Sequence, residues 1–380
     1  QRMSAILRQG QPANDVALYL ADDDAWANFT RGRISLSDGV GAQLGRDVIP
    51  ALLDNGYNLD FFDDGLLDLR GKVDNGALSF GDVKYKVVVL AGVERVPPDT
   101  MKKLEQFANE GGTVIATRRI PDKAPGYKAT DADQQTVRDI AQRLFKGPGA
   151  KGVFVENDAD LPAALEKHLA PDVALSPQNP QIGFIHRHTD GGELYFLANT
   201  TNQPQHFTAT FRVDPSLHPE RWDAMTGKVT ALTGEKSGAG EAVTVDLAPY
   251  ESRVIVFTSR DLPPSDARAL AGAQPLDVST GWTVKFDQPA TTGEAGANTS
   301  EQMNKLASWT DNDKTKFYSG VATYDKTIDV PANLANGPVM LSFGKGTPAT
   351  AGYRANGYRT ELDAPAREAA VVTINGKRAG

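Results

Sequence analysis

The chain has 380 residues, of which 40% are apolar and 23% are charged, and its formal net charge is −8. That length exceeds what one hydrophobic core usually serves, so two or three domains are expected. The negative charge argues against a nucleic-acid partner, the lack of any run near ~20 apolar residues argues against a membrane span, and the absence of cysteine excludes disulfides and thiolate chemistry.

The first residues predict the end of an amphipathic helix. Arg2–Gln9 places Met3, Ile6 and Leu7 on one face, and an apolar stripe of this kind needs a packing partner. We expect that partner to lie in a segment before the first residue. The chain also stops just after a strand and a turn, so we interpret the sequence as a piece of a longer protein.

Strand and helix patterns then alternate. Short apolar runs predict strands at Val16–Leu20, Asn58–Phe62, Val87–Ala91, Thr113–Thr117 and Val153–Val155, and 3.6-residue stripes predict helices at 45–55, 98–110, Thr136–Phe145 and Leu161–Leu169. The clearest unit spans residues 85–117, where Pro98 suits a helix start and Gly111 suits a helix end. The alternation predicts a doubly wound, flavodoxin- or amidotransferase-like α/β domain over residues 14–176.

The pattern changes after this domain. Short β-rich runs occur at Gly183–His188, Glu193–Ala198, Phe207–Val213, Val243–Leu247 and Arg253–Phe257, and Gly191-Gly192 between the first two is a hairpin signal. No helical pattern intervenes, so we predict a small antiparallel β-sandwich over residues 177–260.

A proline- and alanine-rich linker is predicted over residues 261–276. Beyond it, further strands are predicted at Trp282–Phe286, Phe317–Tyr324, Thr327–Val330 and Val339–Phe343. We interpret residues 277–380 as a second sandwich, a galactose-binding-like jelly roll with its end missing.

Two stretches suggest catalytic or nucleotide chemistry and lack its requirements. The run Gly39–Gly45 has three glycines, but the third is one place late for a dinucleotide fingerprint and no strand leads directly into it, so a flexible loop before a helix is predicted. The α/β domain resembles the glutamine amidotransferase layout, which needs a cysteine on the turn after a strand. That turn is Gly92-Val93-Glu94 here, so this activity is excluded.

Asp22, Asp23 and Asp24 follow the first strand, at the end of the sheet where open α/β folds bind ligands. Three carboxylates could hold a cation or contact sugar hydroxyls, and the alternative is a helix cap with a solvated loop. Trp26 beside them is either a sugar platform or a packing residue. The sequence does not decide whether Asp22, Asp24 or Trp26 lines a substrate cleft.

His186 and His188 share one face of a predicted strand, because side chains alternate along it. Two imidazoles could bind a metal, but no third ligand is evident, which favours solvated or interface histidines. Trp222, Trp282 and Trp309 lie in the β regions, where a core position is the usual alternative to sugar stacking. With 48 acidic residues, no catalytic pair can be chosen, so no catalytic, cofactor or metal residue is assigned.

Several stretches together resemble one family. They are Leu7–Tyr19 (LRQGQPANDVALY) with Asp24–Ala27, then Tyr195–Asn199, Glu220–Gly227 (ERWDAMTG) and Leu247–Ser252, and finally Trp309-Thr310, Ser319–Tyr324 and Val372–Gly376. In this order the chain resembles the C-terminal half of the α-L-rhamnosidases of glycoside hydrolase family 106. The last group is shared more widely with β-galactosidase-like enzymes.

The resemblance implies an inverting hydrolase that removes terminal α-L-rhamnose from plant glycosides or pectic chains. It further implies that two catalytic glutamates and a calcium site lie in a (β/α)8 barrel upstream, with residues 1–13 at its end, so that no cofactor belongs to this piece. A bacterial periplasmic or secreted location is expected. The alternatives are a non-catalytic carbohydrate-binding or scaffolding module, and part of a β-galactosidase-like enzyme.

Overall fold

The computed structural model describes residues 1–29, 32, 35–238, 240–263, 275–286, 299–332, 341–344, 346–349, 361–366 and 369–379. The chain divides into two compact units, one formed by residues 1–265 with 345–380 and the other by 266–344. The predicted linker lies partly outside the described residues.

Helices and strands alternate in the first part of the larger unit. In chain order they are α1 (Arg2–Leu7), β1 (Gln11–Pro12), β2 (Val16–Tyr19), α2 (Asp22–Ala27), α3 (Leu36–Leu44), α4 (Val48–Leu53), β3 (Leu59–Phe62), α5 (Asp64–Arg70), β4 (Gly71–Asp74), β5 (Ala77–Phe80), β6 (Val83–Tyr85), β7 (Val87–Ala91), α6 (Pro98–Asn109), β8 (Thr113–Thr117), α7 (Asp131–Phe145), β9 (Val153–Val155) and α8 (Leu161–Glu166). Five of the strands form a parallel sheet in the order β3-β2-β7-β8-β9. All five are the strands predicted from apolar runs.

Both faces of this sheet are covered by helices. Val88 and Leu90 of β7 point into a core shared with α6 and α7, whereas Val87 and Val89 point into a core shared with α4 and α8. All four side chains are fully buried, and each such burial stabilises the fold by about 1.5–3 kcal/mol. The unbroken apolar run of β7 is therefore explained by a strand that has no solvent face.

The ends of two helices show where local sequence is informative. Gly111, just beyond α6, adopts φ +108°, and a Cβ on Gly112 would lie 2.2 Å from the Phe107 ring, so both glycines are required at this stop. Helix α7 begins earlier than predicted, because Thr130 and Asp133 form a capping box ahead of its apolar stripe. A polar first turn carries no apolar periodicity and is easily missed.

The predicted flexible loop at Gly39–Gly45 is wrong, since most of this run lies in α3. Ser35 caps the helix by accepting a hydrogen bond from the Asp38 amide at 3.2 Å. A Cβ on Gly39 would lie 3.4 Å from the Ala25 Cβ, so the glycine permits close packing of α3 against α2. The antiparallel strands β4, β5 and β6 were also not predicted, because they are short and mostly polar.

The second part of the larger unit is antiparallel. Its strands are β10 (Val173–Ser176), β11 (Ile182–Thr189), β12 (Gly192–Asn199), β13 (Gln205–Phe211), β14 (His218–Trp222), β15 (Val229–Ala231), β16 (Glu235–Ser237), β17 (Gly240–Leu247) and β18 (Ser252–Thr258). They form a six-stranded sheet, β1-β11-β12-β18-β14-β15, and a four-stranded sheet, β10-β13-β17-β16. Tyr195, Phe207, Phe211 and Phe257 fill the core shared by the two sheets. The predicted β-sandwich is present, with β10, β14, β15 and β16 added.

Helix α1 packs on the outer face of the six-stranded sheet. Met3, Ile6 and Leu7 contact a small apolar cluster that includes Leu194 and Val256. Arg2 also donates to the carbonyl oxygen of Met225, at 2.6 Å. The expectation that this helix needs a partner before the first residue is therefore wrong, because the sandwich supplies one.

The smaller unit contains β19 (Trp282–Phe286), β20 (Thr299–Met303) and β21 (Ala322–Asp325), which form one antiparallel sheet in the order β20-β19-β21. Thr327–Val330 is not a strand, and the predicted strand Val339–Phe343 lies partly outside the described residues. The larger unit also carries two short hairpins, formed by β22 (Thr347–Pro348) with β23 (Leu362–Asp363) and by β24 (Thr373–Ile374) with β25 (Lys377–Arg378). The protein is thus mixed α/β with several antiparallel sheets. No helix among the described residues is long and apolar enough to cross a membrane.

Candidate functional site

A cavity of about 550 Å³ opens at the carboxyl edge of the parallel sheet. Here β2 and β7 lie side by side, and the chain leaves them toward different faces of the sheet, as at the ligand-binding crevice of open α/β folds. The polar side chains that line the cavity are those of Asp24, Asn28, Gln43, Arg118 and Arg119, and Gly39 and Gly92 also line it.

Asp24 is buried, with 2% exposure, and lies in the first turn of α2. Its carboxylate accepts hydrogen bonds from the backbone N–H groups of Glu94 and Arg95, at 2.6 and 3.1 Å, and from the Arg95 guanidinium at 3.0 Å. The predicted solvated loop is therefore wrong at this position. Asp24 ties α2 to the turn after β7, and its charge is compensated within the chain.

Asp22 and Asp23 remain closer to solvent than Asp24. Burial raises the pKa of Asp22, with a further contribution from Asp63, and burial together with the neighbouring carboxylates raises the pKa of Asp23. No group of three or more potential metal ligands occurs among the residues that the structure describes. The three aspartates are thus not gathered into such a group.

Trp26 is 59% exposed, so it is not a core residue. Its ring lies 6.0 Å from that of Phe29, which is also exposed, and the two form a small aromatic surface on α2 and just after it. Trp26 does not line the cavity, although its helix neighbours Asp24 and Asn28 do.

Gly92 occupies the turn position at which the amidotransferase layout needs a cysteine. It adopts φ +63°, and a Cβ placed on it would lie 2.5 Å from Nη2 of Arg118. Arg118 donates through Nη2 to the carbonyl oxygens of Gln43 and Leu44, at 2.9 and 2.8 Å. A guanidinium therefore lies over the position from which a nucleophile would project.

Arg118 itself adopts φ +64°. This left-handed conformation costs a residue with a Cβ about 1–2 kcal/mol, and such outliers concentrate at functional sites. An ion pair of 3.4 Å between Nε of Arg118 and Oδ2 of Asp158 helps to hold the side chain in place.

A second charged cluster is closed to solvent. The His186 ring is stacked on Tyr195 at 3.9 Å, and its Nδ1 and Nε2 lie 2.8 Å from Asp172 and 2.9 Å from Glu193. Both ring nitrogens face carboxylate oxygens, so the doubly protonated imidazolium satisfies the geometry best. Burial alone would lower the pKa of His186, but the hydrogen bonds to the two carboxylates outweigh it and raise the pKa.

Glu193 joins the two histidines that the sequence placed on one face. Its second oxygen lies 2.8 Å from Nδ1 of His188, whose side chain is 69% exposed. His188 is thus a solvated histidine, as predicted, whereas His186 is buried, which periodicity alone could not distinguish. Burial acts to raise the pKa of Glu193, and its hydrogen bonds to both histidines lower it overall.

Asp172 extends this cluster toward the parallel sheet. Tyr195 donates its hydroxyl to Asp172 at 3.1 Å, and Nη2 of Arg212 lies 3.6 Å from the same carboxylate. Arg212 also pairs with Asp15, just before β2, and Asp15 pairs with Lys86 at 2.9 Å. The cluster therefore links the sandwich to the edge of the sheet where β2 begins.

The three tryptophans of the β regions are half-buried, and each indole N–H has a partner within the chain. Trp222 donates to Glu220 at 2.9 Å, Trp282 to the Val278 carbonyl oxygen at 2.8 Å and Trp309 to the Tyr324 hydroxyl oxygen at 2.5 Å. These contacts favour the packing interpretation over exposed sugar platforms.

Two buried acids, Glu220 and Glu241, line a smaller cavity of about 220 Å³ in the sandwich. Glu220 accepts from the Thr258 hydroxyl at 2.7 Å and pairs with Arg260 at 2.6 Å, and Glu241 pairs with Lys236. Each carboxylate thus faces a cation. No local pattern distinguishes these two glutamates, because they are dispersed among 48 acidic residues.

Comparison with known proteins adds to this picture. A family model described as alpha-L-rhamnosidase, Glyco_hydro_106, matches residues 1–236. A solved rhamnosidase from Novosphingobium sp. PP1Y is similar in structure, with a TM-score of 0.67 and 24% identity over 84% of this chain and 29% of that one. A protein of Formosa agariphila named "Putative beta-glucuronidase" is 26% identical over 263 residues, which are 67% of this chain and 20% of that protein. The chain thus spans about a fifth of the curated relative and under a third of the solved one.

Proposed function

Because the chain belongs to the Glyco_hydro_106 family of alpha-L-rhamnosidases, we propose that it is the accessory C-terminal half of an inverting α-L-rhamnosidase. The whole enzyme would remove terminal α-L-rhamnose from plant glycosides or pectic polysaccharide. Its catalytic glutamates would lie in a barrel upstream of the first residue. The observation that carries the proposal is the family match.

The contacts of the buried acids in the described residues support an accessory role for this chain. An inverting pair needs two carboxyl groups about 6.5–9.5 Å apart and free to contact sugar and water. The most buried acids of the larger unit, Asp24, Glu220 and Glu241, are each paired with an arginine or lysine. Such pairing leaves the carboxylate oxygens occupied by donors within the chain, which suits structural support better than contact with sugar and water.

The domain interpretation extends the proposal. Residues 1–13 would end the barrel, 14–176 would form a flavodoxin- or amidotransferase-like domain, and 177–260 the sandwich. Residues 261–276 would be a linker, and a jelly roll would begin at residue 277, with residues 345–380 grouping instead with the larger unit. The parallel strand order supports the second assignment, since its first strand lies between the second and the third, as in flavodoxin-like sheets.

Two further features are part of the same proposal. Calcium, if the enzyme uses it, would bind in the upstream barrel, because the residues described here offer no cluster of ligands for it. A bacterial enzyme acting on plant saccharides would work in the periplasm or outside the cell. Fractionating the native host and probing with an antibody against this chain would test the location.

Assays of the full-length protein test the function. We expect it to hydrolyse an aryl α-L-rhamnoside and to release rhamnose whose first-formed anomer, followed by NMR, is inverted. An aryl β-D-galactoside should be a poor substrate by comparison. Preference for the galactoside would contradict the proposal and support the β-galactosidase-like alternative.

One observation favours a second candidate, a carbohydrate-binding or scaffolding module without an enzyme attached. The apolar stripe of α1 is covered by the sandwich within the chain, so it does not by itself require an upstream barrel. Reading the gene upstream of the first codon separates the two proposals. A barrel-sized reading frame fused in phase supports the rhamnosidase, and its absence supports the module.

A further inference from the structure

The cavity at the carboxyl edge of the parallel sheet has the position and size of a ligand site. It lies where open α/β sheets bind ligands, and its volume of about 550 Å³ is within the range of small-molecule pockets. Gly92 leaves no nucleophile on the turn, and the Arg118 guanidinium lies over that position, so we treat the cavity as a binding site.

The negative group in the lining is already engaged. Oδ1 of Asp24 accepts from the backbone N–H and the guanidinium of Arg95, and Oδ2 accepts from the backbone N–H of Glu94. A carboxylate with this many donors has little capacity left for a ligand hydroxyl or cation. Recognition therefore falls to the other polar groups.

The remaining donors are cationic. No described residue accepts a hydrogen bond from Nη1 of Arg118, whose other nitrogens contact Gln43, Leu44 and Asp158. Arg119 contacts Glu94 only through Nη1, at 3.3 Å, and half of its side chain is exposed. Two neighbouring guanidinium groups with unused N–H donors match the planar acceptors of a carboxylate or a sulfate.

The lining contains no aromatic side chain among the described residues, so ring stacking does not contribute to recognition here. The Arg118 guanidinium is held at the cavity wall by the carbonyl oxygens of Gln43 and Leu44 and by the Asp158 carboxylate. A fixed guanidinium loses little side-chain entropy when a ligand binds.

We propose that this cavity binds a saccharide bearing an anionic group, a carboxylate or a sulfate ester, through Arg118 and Arg119. The inference that the ligand is anionic rests on the donors described above, and the inference that it is a saccharide rests on the proposed function. The site would hold an acidic sugar of a polysaccharide away from the reactive centre.

Titration calorimetry on the 380-residue chain tests this with four probes: galacturonate, galactose 6-sulfate, galactose and inorganic sulfate. Galactose lacks only the charge, so we expect at least one anionic sugar to bind about tenfold more tightly than it does, the gain of one charge-assisted contact. Which anionic sugar binds better distinguishes carboxylate from sulfate ester.

Arg119→Gln should abolish that tenfold preference. Its matched control is Arg143→Gln, since Arg143 on α7 is also exposed, pairs with a single glutamate, Glu105 of α6, and does not line the cavity. Arg118→Lys is a second variant, which keeps the charge but loses the fork of donors, and it should weaken binding of the anionic sugar severalfold. Circular dichroism would confirm that the variants are folded.

Three results would overturn the inference. They are no saturable binding of either anionic sugar, binding that is unchanged by Arg119→Gln, and inorganic sulfate binding as tightly as both anionic sugars. The last would reduce the cavity to a simple anion site. None of these depends on rhamnoside hydrolysis by the full-length protein, so failure here and failure of the proposed function are distinguishable.

Discussion

Two charged clusters in the larger unit use the same kinds of groups and differ in packing. At the sheet edge, the partly exposed guanidinium groups of Arg118 and Arg119 line an open cavity. At the junction with the sandwich, Asp172 and His186 are almost fully buried against Tyr195. The open cluster keeps unused donors, whereas the closed one directs its main donors and acceptors at each other.

A cluster of charges is therefore not by itself a functional site. In a closed cluster each charge is compensated by its partner. Removing one partner therefore leaves an uncompensated buried charge and lowers the free energy of unfolding by several kcal/mol. In an open cluster water replaces the lost partner, and the same change costs little. The first kind holds the fold together, and the second can recognise a ligand.

The largest expected effect is at the closed cluster. Asp172→Asn should lower the free energy of unfolding by about 3–5 kcal/mol, because His186 and Arg212 lose the carboxylate that both face. Urea unfolding at pH 7 measures this. A loss below about 1 kcal/mol is typical of an exposed ion pair, and it would show that the two clusters do not differ in the way described.

Gly92→Ala sharpens the comparison at the open cluster. The new Cβ would lie 2.5 Å from Nη2 of Arg118, and the alanine would have to adopt the left-handed φ of Gly92. Gly81→Ala is the matched control, since Gly81 has φ +67° with nothing within 4 Å. We expect about 1–2 kcal/mol of destabilisation for the control, and more than that for Gly92→Ala. Equal losses would show that Arg118 moves aside freely.

The third prediction concerns pH. The raised pKa of His186 means that its stabilising contribution is complete below about pH 6.5 and is lost as pH rises through the folded-state pKa. The lowered pKa of Glu193 means that its contribution is complete above about pH 4.5 and is lost as pH falls below it. The stability gap between the native chain and His186→Gln should therefore narrow from pH 6 toward alkaline pH. A stability difference that widens toward alkaline pH would contradict the assignment of His186 as an imidazolium.

The smallest effect is expected at His188. It pairs with the same glutamate as His186, but its side chain is 69% exposed, so His188→Gln should change stability by less than about 1 kcal/mol. Chemical-shift titration of the same samples would give each histidine its own curve. A large loss for His188→Gln would mean that the network extends to the surface.

The sequence predicted the parts of the fold where one period dominates. Val87–Ala91 is fully buried, and one face of α6 is buried, so the apolar patterns of both elements follow directly from that burial. The strands β14 and β16 were missed, because Pro219 interrupts one and the other is fully exposed and polar. Helix α3 was missed because its glycines are typical of a loop, and the role of Gly39, close packing on α2, exists only once the chain has folded.

The candidate site was predicted in position but not in composition. Open α/β sheets bind ligands at the carboxyl ends of their strands, and this rule pointed to Asp22, Asp23 and Asp24, of which Asp24 lines the cavity. Arg118 and Arg119 come from the end of β8, and nothing local marks them as neighbours of Asp24. The one available signal was the absence of a nucleophile at Gly92, which excluded an activity without indicating what replaced it.

The proposed function requires that the reactive carboxylates lie outside these 380 residues. The purified chain and the full-length protein should be incubated, at equal concentration, with an aryl α-L-rhamnoside while phenol release is recorded. We expect turnover by the full-length protein and none by the chain. Turnover by the chain, removed by substituting Glu220 or Glu241, would contradict the proposed function.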